Sequence, residues 1–226
     1  SEAVLAQLQP PNDVEIIGIV VNEKGAERGI ATGAVRTLGY PCSISPSFLR
    51  RNQNQSPEES LTTLRKIHER ARESDLGMVV YISMAFGNPY DDPWSEEHLS
   101  NAIARIADFG IRSISLADTV GVATPDLIGK VVTVVLQDRP GLDLGVHLHS
   151  TREAAADKIL AAYDAGCRRF DSALGGLGGC PFAQDQLIGN IPTEEVLRSL
   201  GQRGAELPLA VESAASLNED ISRSYA

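Results

Sequence analysis

Basic residues are scarce in this chain, with 20 Lys and Arg against 30 Asp and Glu and a formal net charge of -10. Without surplus cations to displace phosphate counterions, nucleic acid and anionic membranes are excluded as expected partners. A small anionic ligand stays compatible where local basic groups and a metal receive it. Cysteine is nearly absent: Cys42, Cys167 and Cys180 are odd in number and widely spaced. That excludes a disulfide framework or a zinc knuckle and leaves at least one free thiol. No apolar run approaches the roughly 18 to 20 residues that cross a bilayer. The opening Ser1-Glu2-Ala3-Val4 has neither the basic nor the apolar region of a signal peptide, so a soluble, cytoplasmic protein is expected. No Gly-x-Gly-x-x-Gly follows a first strand and no P-loop lysine occurs, which makes a nucleotide-binding sheet the weaker choice.

What is present reads as one globular domain over 1–226. The 42% hydrophobic and 22% charged residues give no reason to divide it. The β-branched run over 14–22 predicts a buried strand, preceded by the tail of a helix through Leu5 and Leu8. A short helix over 24–31 leads to a second strand near 35–45, where Pro41 blurs the boundary. Ser56-Pro57-Glu58-Glu59 combines a capping box with a first-turn proline, predicting a helix over 57–74 whose Leu61, Leu64, Ile67 and Ala71 share one face. A strand over 78–86 and a turn-rich connection follow. Next come a helix over 95–109 closed by Gly110, a strand over 112–117 ending in Asp118, and a helix begun by Thr124-Pro125.

The strand ending Val146-His147-Leu148-His149-Ser150 is the focus. Side chains two apart on a strand share a face, so His147 and His149 present two imidazoles side by side, a way to offer two nitrogens to one cation. Only four histidines occur, and two of them are here; a pair of satisfied interior or surface histidines is the competing explanation. Thr151 is expected to cap a helix to Ala165, with a strand over 168–174 after it. The glycine-rich run from Gly175 carries Cys180 and suits a mobile active-site loop. Thr193 is expected to cap a helix over 194–203, and an amphipathic helix from Leu209 to about Ser224 closes the C-terminal segment 205–226.

Strand and helix alternate about six times, the pattern of a parallel α/β fold. Asn88, Asp118, His149 and Cys180 lie at or just after carboxyl ends of strands, where both (β/α)8 barrels and doubly wound sheets place their sites.

Several ordered segments strongly resemble the 3-hydroxy-3-methylglutaryl-CoA lyase family. They are Ser115-Leu116-Ala117-Asp118-Thr119-Val120-Gly121, the His147-Leu148-His149 strand, Gly178-Gly179-Cys180-Pro181-Phe182-Ala183, and Gly189-Asn190-Ile191-Pro192. Phe86-Gly87-Asn88-Pro89-Tyr90 and Arg51-Asn52 extend the match over most of the chain. The resemblance implies a TIM (β/α)8-type barrel with about six of its eight units present. It implies metal-assisted reverse Claisen cleavage of 3-hydroxy-3-methylglutaryl-CoA, or a close 3-hydroxyacyl-CoA, to acetyl-CoA and acetoacetate. By the same resemblance Mg2+ or Mn2+ is held by His147, His149 and Asn190, Cys180 acts near the enolate, and Asp118 orients groups or exchanges protons. Asn88, Arg50 and Arg51 are substrate-binding candidates, the arginines for CoA phosphates; an exposed solvated pair explains them equally. An acyl-CoA is the expected partner, and a homodimer is left open.

The family's first strand ends in an Arg-Asp pair and its second carries a catalytic glutamate, and nothing before Val14 matches either. An N-terminally incomplete barrel is therefore expected, with weak metal binding and slow or absent cleavage by the isolated polypeptide. Two alternatives stand: a condensing synthase of the isopropylmalate or homocitrate type, and a truncated noncatalytic barrel acting as a binding partner.

Overall fold

The computed structural model describes residues 2–178 and 188–225. Its contacts divide the chain into two units, Ser1–Ser83 with Tyr90–Ser115, and Met84–Pro89 with Leu116–Ala226. In chain order the elements are α1 (Glu2–Leu5), β1 (Ile17–Ile19), α2 (Glu23–Ala31), β2 (Thr37–Ser43), α3 (Pro46–Gln53), α4 (Pro57–Glu73), β3 (Gly77–Ser83), α5 (Glu96–Ala107) and β4 (Ser113–Asp118). They continue with α6 (Pro125–Asp138), β5 (Asp143–Ser150), α7 (Arg152–Asp164), β6 (Arg169–Asp171), β7 (Gly189–Asn190), α8 (Thr193–Gln202) and α9 (Val211–Tyr225), a short 3-10 turn at Leu174–Gly176 lying between β6 and β7.

Sheet order follows chain order, β1-β2-β3 in the first unit and β5-β6 in the second, with residues 113–115 of β4 counted in the first unit and 116–118 in the second. This is the parallel α/β arrangement expected, in which each helix returns the chain to start the next strand. β2 pairs with β3 along its whole length, from Thr37 opposite Gly77 to Ser43 opposite Ser83. Pro41 sits inside β2, which is tolerated because β1 reaches only from Thr37 to Gly39 and asks no hydrogen bond of residue 41. The first unit's core gathers Leu38, Tyr40, Leu49, Leu64, Ile67, Ile82, Leu99 and Ile103, all buried.

The expected buried strand over 14–22 is corrected. Only Ile17–Ile19 is paired, and among the described residues its partner is β2 alone. An edge strand lacks a neighbour to cover it, so Ile17 is 40% and Ile19 59% exposed, with Val14 and Val21 also open. α3 follows the strand expected near 35–45, in a stretch for which no helix was expected. Ser45 caps it by accepting from the Phe48 N–H, and Pro46 fills the first helical turn. α4 carries the expected capping box, the Ser56 hydroxyl accepting from the Glu59 N–H and the Ser56 N–H donating back to Glu59. Thr193 does not cap α8; Pro192 holds that position, and the Thr193 hydroxyl meets the Ser172 hydroxyl instead.

Candidate metal and catalytic site

The candidate site belongs to the second unit and grows from β5. Leu144, Val146 and Leu148 point to one face of this strand and are buried, so Gly145, His147 and His149 share the other. At Gly145 a Cβ would lie 2.6 Å from Arg169 Nε, so the glycine makes room for the neighbouring strand's guanidinium.

The two imidazoles face each other. Their Nε2 atoms are 3.3 Å apart, with ring centroids 5.3 Å apart and planes tilted by 53°. Burial pushes the His149 imidazolium down to about 4, helped by the His147 ring and then by the Lys158 ammonium, while a backbone hydrogen bond at Ile188 pulls the other way. His149 is therefore neutral at physiological pH, the form that ligates a cation. His147 lies opposite Asp171 on β6, with its Nδ1 3.6 Å from an Asp171 carboxylate oxygen.

β7 brings in a residue from forty positions downstream. It runs antiparallel to the end of β5, with Asn190 opposite His149 and Gly189 opposite Ser150. The Asn190 side-chain amide donates to the Leu177 carbonyl at 2.8 Å, which leaves its Oδ1 as the end able to accept or ligate. This approach needs Gly176: its φ is +70°, and a Cβ there would lie 2.9 Å from the Asn190 carbonyl oxygen. A cavity of about 510 Å³ opens beside these segments, with Ser150, Arg152, Gly176, Gly178 and Asn190 among its walls.

The donor set suits a cation. Two nitrogens at adjacent octahedral positions, each about 2.1 Å from the ion, stand roughly 3.0 Å apart; the observed separation is 3.3 Å. Among the described residues no cluster of three or more His, Cys, Asp or Glu side chains could hold a metal. Beyond the imidazoles, the Asn190 oxygen would be available to the shell.

Asp118 ends β4 and is 1% exposed. Both its oxygens accept from the Ala123 N–H at 3.2 Å, and Oδ2 accepts from Lys158 Nζ at 2.8 Å. Burial pushes its carboxyl above the usual range, against the pull of Lys158 and of the Ala123 and Val122 amides. Lys158 itself, on α7 and 4% exposed, was not singled out by the sequence reading. Its signal was there: it follows Ala155 by three and precedes Ala162 by four, and both are buried on α7's inner face.

Asn88 is half-buried on the connection after β3. Arg50 and Arg51 lie on α3 in the first unit, Arg50 donating to Asn54 Oδ1 at 3.4 Å and Arg51 stacked 4.5 Å above the Tyr90 ring. Cys180 lies outside the described residues. The structure thus brings together His147, His149 and Asn190, with Asp118 joined to His149 through Lys158.

The HMGL-like family model matches residues 2–221. This chain belongs to the HMGL-like family. It is 31% identical over 203 residues to a hydroxymethylglutaryl-CoA lyase of Bacillus subtilis, covering 90% of this chain and 67% of that protein. It is 32% identical to (R)-citramalyl-CoA lyase of Chloroflexus aurantiacus, covering 87% of this chain and 61% of the relative. The crystal structure of the Bacillus subtilis HMG-CoA lyase superposes with a TM-score of 0.92 at 29% identity, over 99% of this chain and 74% of that one. An HMG-CoA lyase from Acinetobacter baumannii in complex with coenzyme A and 3-methylmalate gives 0.89 at 30% identity, over 97% of this chain and 71% of that one. The chain spans about half to two thirds of the length of the curated relatives it matches. Its parallel strands and returning helices are those of this family's TIM-type barrel in part, with six parallel strands in chain order among the described residues where a closed barrel has eight.

Proposed function

We propose that this chain carries the metal-binding half of a carbon-carbon lyase that cleaves 3-hydroxy-3-methylglutaryl-CoA, or a close 3-hydroxyacyl-CoA, to acetyl-CoA and a keto acid such as acetoacetate. The observation that carries the reading is the facing Nε2 pair of His147 and His149, 3.3 Å apart, with Asn190 across the strand. His147, His149 and Asn190 would hold Mg2+ or Mn2+. When bound, such an ion polarises the oxygens of a hydroxyl and its neighbouring carbonyl, making the hydroxyl proton easier to remove.

The chain's own groups have separate tasks. Asp171 behind His147 keeps that imidazole oriented for its ligand, and the pairing of β7 with β5 sets Asn190 opposite His149. Asp118 orients through Lys158, because its carboxylate is already engaged by an ammonium and a backbone amide. Cys180 is assigned to the proton transfer that quenches the acetyl-CoA enolate, since a thiol of lowered pKa exchanges protons near neutrality. Asn88, Arg50 and Arg51 are assigned to the acyl-CoA. We place the protein in the cytoplasm, although its relatives include both cytoplasmic and mitochondrial lyases. No helix among the described residues is long and apolar enough to cross a membrane.

A second substrate is favoured by one specific finding, the 32% identity to a citramalyl-CoA lyase, so the acyl group is the finer question. The test is acyl-CoA cleavage by the protein carrying this chain, with Mn2+ present and both acyl-CoAs offered. Release of acetyl-CoA from either supports the reading. Condensation of acetyl-CoA with a keto acid, without cleavage, would point to a synthase and sink it.

A further inference from the structure

The buried Lys158 has no evident task in binding substrate. Its ammonium has three N–H bonds, and all are spent: on Asp118 Oδ2 at 2.8 Å, on the Gly121 carbonyl at 3.1 Å, and on the His149 carbonyl at 2.9 Å. A lysine so engaged has no proton or lone pair to spare for chemistry. The acceptors instead show what it joins, the turn after β4 and the tip of β5.

That junction bears on the imidazole. Both peptide planes flanking His149 Cα are engaged: the Leu148 carbonyl accepts from the Ile191 N–H at 3.2 Å, and the His149 carbonyl accepts from Lys158 at 2.9 Å. Because each peptide unit is planar, these bonds restrain φ and ψ at His149, together with the β5–β7 pairing, and so the direction of its Cα–Cβ bond. The Asp118 turn is in turn locked by the Gly121 N–H donating to the Asp118 carbonyl at 3.1 Å, so the lysine draws on a rigid base.

We propose that Lys158 is a positioning residue that aims the His149 imidazole at the atom His147 also faces. The proposal rests on the reading of the two histidines as a ligand pair. Its role is distinct from neutralising Asp118, and two variants separate them. Lys158→Met removes both the charge and the donor to His149. Asp118→Asn/Lys158→Met removes both charges but still leaves the His149 carbonyl without its ammonium donor.

Two readouts apply to the full chain: Mn2+ affinity, and the nuclear Overhauser contact between the His147 and His149 rings in metal-free protein. Both variants are expected to bind Mn2+ about 10- to 100-fold more weakly and to lose the ring contact, while the double variant regains thermal stability over the single one. The proposal is overturned if the double variant binds Mn2+ within about twofold of the wild type or keeps the ring contact. If the wild type binds no Mn2+ through His147, the metal reading fails, and the ring contact in the double variant still decides for or against Lys158.

Discussion

Lys158→Met should be among the most destabilising single changes in the second unit. The lysine is 4% and its partner Asp118 1% exposed, so the substitution leaves a carboxylate in a dry site together with two backbone carbonyls that have lost a donor. Breaking a buried ion pair from one side costs about 3 to 5 kcal/mol, since the remaining carboxylate loses its counter-ion and keeps only backbone amides. The comparison is Arg203, whose guanidinium makes two contacts to Asp164, at 3.0 and 2.8 Å. Those side chains are 46% and 51% exposed, and solvent screening leaves such a pair worth little. Equilibrium urea unfolding followed by far-ultraviolet circular dichroism should therefore show a several-fold larger loss for Lys158→Met than for Arg203→Ala. Asp118→Asn/Lys158→Met should recover part of it, because no charge is then stranded. If Lys158→Met costs no more than Arg203→Ala, the buried pair is not the brace described, and the argument from burial fails.

Other outcomes follow from the same structure. Burial pushes the Tyr40 phenol up to about 12, so folding favours its neutral form: that stability is complete below the unfolded pKa near 10 and is lost as pH rises from 10 to 12, by roughly 3 kcal/mol. Unfolding titrations across that window, repeated with Tyr40→Phe, should show the alkaline loss shrink in the variant. Gly121 has φ +72°, and a Cβ there would lie 2.8 Å from Ile188 Cδ1, so Gly121→Ala should cost more than about 1 kcal/mol and lower the melting temperature. Ser56→Ala removes the reciprocal cap of α4 and should cost about 1 kcal/mol in the same assay.

Periodicity and caps made most of the fold legible from residues alone. The capping box at Ser56 and the left-handed glycine at Gly110 (φ +86°) began and ended helices where expected. α3 was missed although Ser45-Pro46 carries the same cap-and-proline signal as Ser56-Pro57. The preceding strand runs through Pro41 to Ser43, and its β-pattern masked the change of period. The buried reading of 14–22 failed because composition reports what a strand can bury, not whether a neighbour is present to cover it.

In the site, the same-face pairing of His147 and His149 follows from strand geometry alone. The apposition of Asn190 could not be read that way, since it depends on the antiparallel pairing of β7 with β5, and it entered through the family resemblance. The spacing on α7 marks Lys158 as inward-facing, but its contact to Asp118, like that of Asp171 to His147, is long-range and no local spacing encodes it.

The central claim is that two neighbouring imidazoles at the tip of β5 share one divalent ion. Titration of the chain with Mn2+, following free ion by electron paramagnetic resonance, tests it in wild type, His147→Ala and His149→Ala. The account predicts saturable binding of one ion per chain that weakens at least about tenfold in each single variant. Retention of wild-type affinity in either variant would contradict it.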